Sequence, residues 1–215
     1  ENLGLTFWQK IFLQVGAAAA FSIYLTFSGQ NLNQAGWLAN YGFYNPYLYQ
    51  LLVIFVIVGS ANATNLTDGL NGLLAGSGAI AFLAFGILAL KLKIPEAALF
   101  SFIAAGALGA FLYFNFPKAK LFMGDIGSLA IGAGLAGLAV LMHKELRLIV
   151  IGGLFVVEAL SVILQVSFYK LFKRRLFKMA PLHHHFEVMG FKEQPVVIAL
   201  WIMGLILAVI GVLMA

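Results

Sequence analysis

Seven stretches of about twenty mostly apolar residues divide this chain, and they constrain its fold more than any other feature. A helix needs about 20 such residues to cross a bilayer. Residues 51–58 are continuously apolar, whereas the strands of a membrane barrel alternate in polarity. The sequence therefore predicts an all-α, polytopic membrane helix bundle with seven transmembrane helices. The predicted spans are residues 8–28, 45–63, 71–91, 97–115, 127–143, 147–169 and 195–215.

The composition excludes several other classes of protein. Hydrophobic residues make up 62% of the chain and charged residues 10%, which is far from the balance of a soluble or disordered protein. There is no cysteine, so a disulfide-stapled module is excluded. The net charge of +5 comes from basic residues between apolar runs, so we expect the lipid bilayer, and no nucleic acid, as a partner.

The basic residues predict the orientation of the spans. Nine of the thirteen lysines and arginines fall in the N-terminal segment and in the loops on the same side as it, and positive charge favours the cytoplasmic side. We therefore expect cytoplasmic loops at residues 64–70, 116–126 and 170–194. Residues 1–215 are interpreted as a single membrane domain, with its polar clusters at the cytoplasmic surface.

The first cytoplasmic loop is rich in polar residues and glycine. Asn65 and Asp68 offer hard oxygen ligands of the kind that Mg²⁺ prefers, and Gly69 allows close approach of backbone to a ligand. The alternative is a plain turn, since these residue types also cap helices.

The second loop contains Asp125 between two glycines. Its carboxylate is a candidate metal ligand, or the N-cap of a span that starts near Gly127. Lys118 and Lys120 either neutralise phosphate or anchor the chain at lipid headgroups.

The third loop contains three consecutive histidines, His183, His184 and His185. Neighbouring helical residues point about 100° apart, so all three cannot face one ligand. We expect one or two of them to donate to phosphate oxygens, because the spaced partners of a zinc site are lacking. Within a span, Glu158 is either functional or hydrogen-bonded to a neighbouring helix.

Three motifs stand in order on the predicted cytoplasmic face: Asn-Leu-Thr-Asp-Gly-Leu at 65–70, Phe-Met-Gly-Asp-Ile-Gly-Ser at 122–128, and Met-Ala-Pro-Leu-His-His-His at 179–185. Together they closely resemble the phospho-N-acetylmuramoyl-pentapeptide transferases, over essentially the whole chain. The resemblance implies transfer of phospho-MurNAc-pentapeptide from UDP-MurNAc-pentapeptide to undecaprenyl phosphate, which gives UMP and lipid I for peptidoglycan. It also implies Mg²⁺, a homodimer and the bacterial plasma membrane, with the active site on the cytoplasmic face.

The resemblance also assigns roles to residues of this chain. Asp68, Asp125 and His183 resemble catalytic residues, and Asp125 resembles the magnesium ligand. A larger set resembles residues that bind the substrate: Asn65, Gly69, Leu70, Asn71, Asn115, Phe122 and His184.

The chain departs from the family pattern in two main ways. The family has an aspartate where this chain has Asn71. The family fold has ten spans, and the seven spans here match the last seven, so the resemblance implies that this chain alone is catalytically incomplete.

Three other functions stay open at the level of sequence. A polyprenyl-phosphate GlcNAc-1-phosphate transferase would differ in its sugar donor. A transporter or channel would use Glu158 as an intramembrane polar site. A membrane scaffold of the same family would keep the motifs without turnover.

Overall fold

The structure, a computed structural model, describes residues 4–28 and 45–214. Within them the chain is all-α, as predicted. The helices are α1 (Phe7–Phe27), α2 (Pro46–Thr67), α3 (Leu73–Lys91), α4 (Pro95–Asn115), α5 (Gly124–Leu141), α6 (Glu145–Ile151), α7 (Gly153–Phe172), α8 (Leu182–Val188) and α9 (Glu193–Leu213). All but α6 and α8 are long and apolar enough to cross a membrane, so the predicted seven spans are confirmed. The predicted end of the seventh span, residue 215, lies outside the described residues.

The chain forms two compact units, residues 1–59 and residues 60–215. In the first unit, Thr6 and Gln9 form a capping box at the start of α1. The Gln50 side-chain amide of α2 donates to the Thr26 hydroxyl of α1 at 3.0 Å. Every candidate site residue belongs to the second unit, which includes the last turns of α2.

Helix α3 forms the centre of the second unit and is buried over most of its length. It is apolar on all sides, as expected for a helix surrounded by others. Its glycines create close crossings: Gly76 lies against the indole of Trp201 in α9, and Gly86 lies against the ring of Phe102 in α4. Small residues at such crossings let helices pack closely in a membrane.

The predicted loop at residues 64–70 is shorter than expected, because α2 continues through Thr67. The Thr64 hydroxyl donates to the Ser60 carbonyl at 3.0 Å, and the Thr67 hydroxyl donates to the Ala63 carbonyl at 2.8 Å. These threonines satisfy their hydroxyls within the helix, so their polarity does not end it. The connection to α3 is therefore only residues 68–72.

The predicted span at residues 147–169 is interrupted at Gly152. The short helix α6 ends at Ile151 and α7 begins at Gly153. Glycine has low helix propensity, and two consecutive glycines at 152 and 153 favour a break. Gly153 also lies against the side chain of Leu207 in α9, so the break admits a close helix neighbour.

The other two predicted cytoplasmic loops are also partly helical. Helix α5 begins at Gly124, so the loop predicted at 116–126 ends at residue 123. In the loop predicted at 170–194, α7 runs on to Phe172 and α8 carries the histidines. Gln165 of α7 fastens the segment between them, accepting from the Phe177 backbone N–H at 2.8 Å and donating to its carbonyl at 3.1 Å.

Candidate functional site

The first and second motifs meet where α2 ends and α5 begins. The Asn65 side-chain amide donates to Asp125 Oδ1 at 3.1 Å and to the Ser128 hydroxyl at 2.8 Å. The Thr64 hydroxyl also lies 2.8 Å from the Ser128 carbonyl, so that carbonyl and the Ser60 carbonyl share its one proton. Polar contacts thus bring together two motifs that lie 60 residues apart in the sequence.

Asp125 lies inside the first turn of α5, not at its N-cap. Met123 occupies the N-cap position and makes no side-chain cap, so the interpretation of Asp125 as an N-cap is wrong. A carboxylate in a first turn is nonetheless favoured by the helix dipole. The residue is exposed at the surface of the unit, where a ligand can reach it.

Asp68 follows α2 directly, and its carboxyl group interacts electrostatically with that of Asp125. Partial burial raises the pKa of the Asp68 carboxyl above its ordinary value, and the negative charge of Asp125 raises the pKa further. A carboxyl group whose ionisation is opposed by a neighbouring carboxylate marks a place where a cation is stabilised. This arrangement agrees with the predicted grouping of Asp68 and Asp125, while their catalytic roles stay predictions.

Replacing Asp68 with asparagine is expected to raise the melting temperature of the metal-free protein at neutral pH. A carboxyl whose pKa is higher in the folded state stabilises the fold below its unfolded pKa, and this contribution is lost as pH rises through the folded pKa. Asparagine cannot ionise, so the variant should also lose that part of the pH dependence. Thermal unfolding in a chelator, from about pH 4 to 8, measures both effects.

Glu96→Gln provides the matched control for this prediction, because it removes an exposed carboxyl group in the first turn of α4. Its melting curve should follow that of the wild type across the pH range. A lower melting temperature for Asp68→Asn at neutral pH would contradict a pKa of Asp68 that burial and the charge of Asp125 raise in the folded state.

The third motif reaches the same connection through α8. A Cβ atom built on Gly69 would collide with Nε2 of His183 and lie 3.1 Å from Nε2 of His184. The His183 side chain is wholly buried, whereas 29% of the His184 side chain is exposed. His185 points elsewhere, since its Nδ1 accepts from the Lys178 backbone N–H at 3.1 Å. Two of the three histidines therefore meet the Asp68–Gly69 turn, as the divergence of neighbouring helical residues implies.

Three residues predicted to bind substrate contribute to the architecture of the connection. The buried Asn115 accepts from the Gly72 backbone N–H at 2.7 Å and donates to the Leu121 carbonyl at 2.8 Å, which ties two connections together. The Leu70 side chain belongs to the apolar core. The Asn71 backbone N–H donates to the Glu193 carboxylate at 2.7 Å. Any contact of Leu70 with a ligand therefore has to involve its backbone.

Phe122 has the geometry expected of a stacking residue. Its ring is 81% exposed and lies on the connection between α4 and α5, three residues before Asp125. An exposed aromatic ring beside a polar site offers a face to a planar ligand. The stacking role of Phe122 stays a prediction.

The sequence interpretation missed two residues of α9 that hold the first connection. Glu193 accepts from the Asn71 backbone N–H, and the Trp201 indole N–H lies 3.2 Å from the Gly72 carbonyl and 3.3 Å from the Leu73 carbonyl. The sequence could have marked Glu193 as a candidate, because it is an acidic residue at the start of an apolar span. Trp201 had no comparable sign, because an aromatic residue within a span is usual.

The donor set fits Mg²⁺. Asp125 and Asp68 offer carboxylate oxygens, and their mutual repulsion is the kind that a divalent cation relieves. No group of three or more histidine, aspartate or glutamate residues able to hold a metal occurs in the parts of the chain that the structure describes. Mg²⁺ commonly takes one or two protein carboxylates and completes its shell with water and substrate phosphates.

Comparison with known proteins decides the family. The sequence pattern of glycosyl transferase family 4 matches residues 2–143. The chain belongs to this family. It is 49% identical over 212 residues to a phospho-N-acetylmuramoyl-pentapeptide-transferase of Shouchella clausii, and 47% identical over 214 residues to one of Bacillus licheniformis. Both matches cover 99% of this chain and 65% of the relative. The predicted resemblance is confirmed.

The comparisons place the candidate site within a family of transferases. The family match covers the first two motifs, and the matches to the two relatives extend over the histidines as well. The chain spans about two thirds of the length of these relatives. Their activity, substrates and partners are therefore considered as proposals for this chain.

Proposed function

We propose that this chain carries the nucleotide and phosphate site of a phospho-N-acetylmuramoyl-pentapeptide transferase. The proposed reaction transfers phospho-MurNAc-pentapeptide from UDP-MurNAc-pentapeptide to undecaprenyl phosphate and yields UMP and lipid I. The convergence of the three motifs carries the proposal. Asn65 donates a hydrogen bond to Asp125, and the charge of that carboxylate raises the pKa of Asp68. The third motif joins them where His183 lies against Gly69. The relatives' shared name supports the choice of substrates.

The residues present suit phosphoryl transfer, which depends chiefly on alignment and charge neutralisation. Asn65, which also donates to the Ser128 hydroxyl, orients the Asp125 carboxylate at the start of α5. The short connection at residues 68–72, held by Asn115 and Glu193, fixes the position of Asp68. Phe122 would stack on the uracil ring, and His184, the partly exposed histidine, would donate to phosphate oxygens.

Mg²⁺ forms part of the proposal, with Asp125 as its ligand and Asp68 nearby. When bound, the ion would supply positive charge to the diphosphate and to the phosphate of the acceptor. The protein's own contribution is to hold two carboxylates close together at the surface of the unit. Their negative charge would stabilise the bound ion.

The site is proposed to face the cytoplasm of a bacterial plasma membrane. The excess of basic residues between the spans on that side supports this orientation. A site at the bilayer surface lets a soluble nucleotide meet a lipid phosphate. The homodimer that the family resemblance implies remains part of the proposal, and the mass of the purified protein in nanodiscs tests it.

The direct test measures turnover in nanodiscs by the purified protein with all ten spans that the family resemblance implies. It is given radiolabelled UDP-MurNAc-pentapeptide, undecaprenyl phosphate and Mg²⁺. We expect release of UMP together with a radiolabelled lipid product, and loss of both in a chelator.

Three other outcomes would overturn the proposal. Turnover of UDP-GlcNAc in place of UDP-MurNAc-pentapeptide would indicate a GlcNAc-1-phosphate transferase. Magnesium-dependent binding of the nucleotide without any product would indicate a scaffold. Ion or solute flux into vesicles without group transfer would indicate a transporter.

A further inference from the structure

Glu158 is a wholly buried carboxyl group in α7, within a segment long and apolar enough to span the membrane. A charged side chain at such a position is costly and has a function or a partner as a rule. Its partner lies outside α7, in the short helix that carries the histidines. Neither the proposed binding of nucleotide nor that of metal uses this residue.

Glu158 contacts His183 in two ways. Its Oε2 atom lies at an ion-pair distance of 3.3 Å from Nδ1 of the imidazole, without the alignment of a hydrogen bond, and accepts from the His183 backbone N–H at 3.4 Å. The other carboxylate oxygen, Oε1, is buried with no hydrogen-bond partner among the described residues. The carboxylate therefore faces one edge of the imidazole ring. In the described part of the chain, no other group donates to Oε1.

The opposite edge of the same ring faces the Asp68–Gly69 turn. Nε2 of His183 lies close to where a Cβ on Gly69 would be, and neither it nor Nδ1 has a hydrogen-bond partner among the described residues. A buried polar atom without a partner requires a reason. The nitrogen that carries the proton in a neutral imidazole is set by the hydrogen bond of the other nitrogen.

We propose that Glu158 is a positioning residue that acts through His183. Its carboxylate favours the proton on Nδ1 and holds the ring so that the unprotonated Nε2 faces the Asp68–Gly69 turn. The inference rests on the proposed transferase function and assigns to Glu158 the orientation of one of its histidines. Carboxylates orient metal-bound histidines in this way, and the same arrangement holds the histidine of a Ser-His-Asp triad.

A merely structural role of Glu158 would require hydrogen bonds but no negative charge. Gln165, one further residue of α7, fastens residues 176 and 177 through neutral hydrogen bonds alone. A glutamine at 158 could still accept from the His183 backbone N–H, so it would keep that structural contact. It would lose the negative charge beside Nδ1, and the comparison of Glu158→Gln with wild type isolates that charge.

The kinetic test uses the purified protein in nanodiscs and compares wild type, Glu158→Gln, His183→Ala and the double variant. We expect Glu158→Gln to lower kcat by about 10- to 100-fold, the usual effect of losing a carboxylate that orients a histidine, with little change in KM for the UDP-linked donor. In the His183→Ala background the same change should have no further effect on kcat. An equal loss in both backgrounds would overturn the inference. Glu145→Gln, which removes a buried carboxyl in α6, is the matched control and should keep kcat near that of wild type.

A spectroscopic test works even if the protein fails to transfer the sugar. The chain has four histidines, so ¹⁵N-histidine labelling gives few signals, and His183→Ala assigns the one of interest. We expect the Nδ1-protonated form of His183 in the wild type and loss of that preference in Glu158→Gln. An unchanged ¹⁵N pattern in Glu158→Gln would overturn the inference independently of the proposed function.

Discussion

Replacing Asp125 with asparagine is expected to lower turnover by at least about 1,000-fold. The carboxylate is the proposed ligand of Mg²⁺, whose charge stabilisation is worth several kcal/mol, and each 1.36 kcal/mol corresponds to a factor of ten in rate. Asparagine is nearly isosteric, and its side-chain oxygen can still accept from Asn65, so the local packing should persist. The rate of UMP release from UDP-MurNAc-pentapeptide at saturating Mg²⁺ measures the effect.

Glu96→Gln again serves as the control, since it removes one negative charge from the first turn of a different helix. It should retain wild-type turnover. If Asp125→Asn also turned over substrate at the wild-type rate, Asp125 would be removed from the proposed metal site. A second measurement separates catalysis from folding: in a chelator Asp125→Asn should melt no lower than wild type, because it removes a charge that opposes ionisation of Asp68.

Replacing Gly69 with alanine is expected to impair both folding and activity. The added methyl group would collide with Nε2 of His183 and press on His184. Since His183 is wholly buried, its ring has no open space into which it can move. Overpacking of this kind costs about 1–3 kcal/mol, and the displaced turn would also shift Asp68. Unfolding in denaturant and the rate of UMP release measure the two effects.

The chain offers a matched glycine for comparison. A Cβ on Gly109 in α4 meets no atom within 4 Å, so Gly109→Ala should leave stability and turnover near those of wild type. Combining Gly69→Ala with His183→Ala removes the collision, and the double variant should lose less stability than the sum of the two single variants. Strict additivity of the two stability losses would show that Gly69 and His183 do not contact each other.

The fold was largely predictable, because long apolar stretches have few structural options in a membrane. The errors fell at helix ends. Thr64 and Thr67 looked like loop residues, yet their hydroxyls bond to carbonyls of the preceding turn and let α2 continue. The break at Gly152 was hidden inside an apolar stretch, where hydropathy carries no information about backbone continuity.

The sequence predicted which residues form the candidate site better than it predicted how they are arranged. The motifs identified Asp68, Asp125 and His183, and the structure brings their loops together. Which side chains face a ligand depends on packing between distant segments, which spacing along the chain does not reveal. Leu70 and Asn115 show this, since one side chain is in the core and the other ties two connections together. Glu193 was overlooked because its partner, Asn71, lies 122 residues earlier.

The bonds from α9 to the connection at residues 68–72 have a consequence for biosynthesis. Glu193 and Trp201 reach back 122 and 129 residues to hold Asn71 and Gly72. When the ribosome has made the first two motifs, Glu193 and Trp201 have not yet been synthesised. The turn at Asp68 can therefore form its hydrogen bonds to them only later. Assembly of the candidate site is therefore a late event in synthesis, and an interrupted chain that lacks α9 would enter the membrane with that site incomplete.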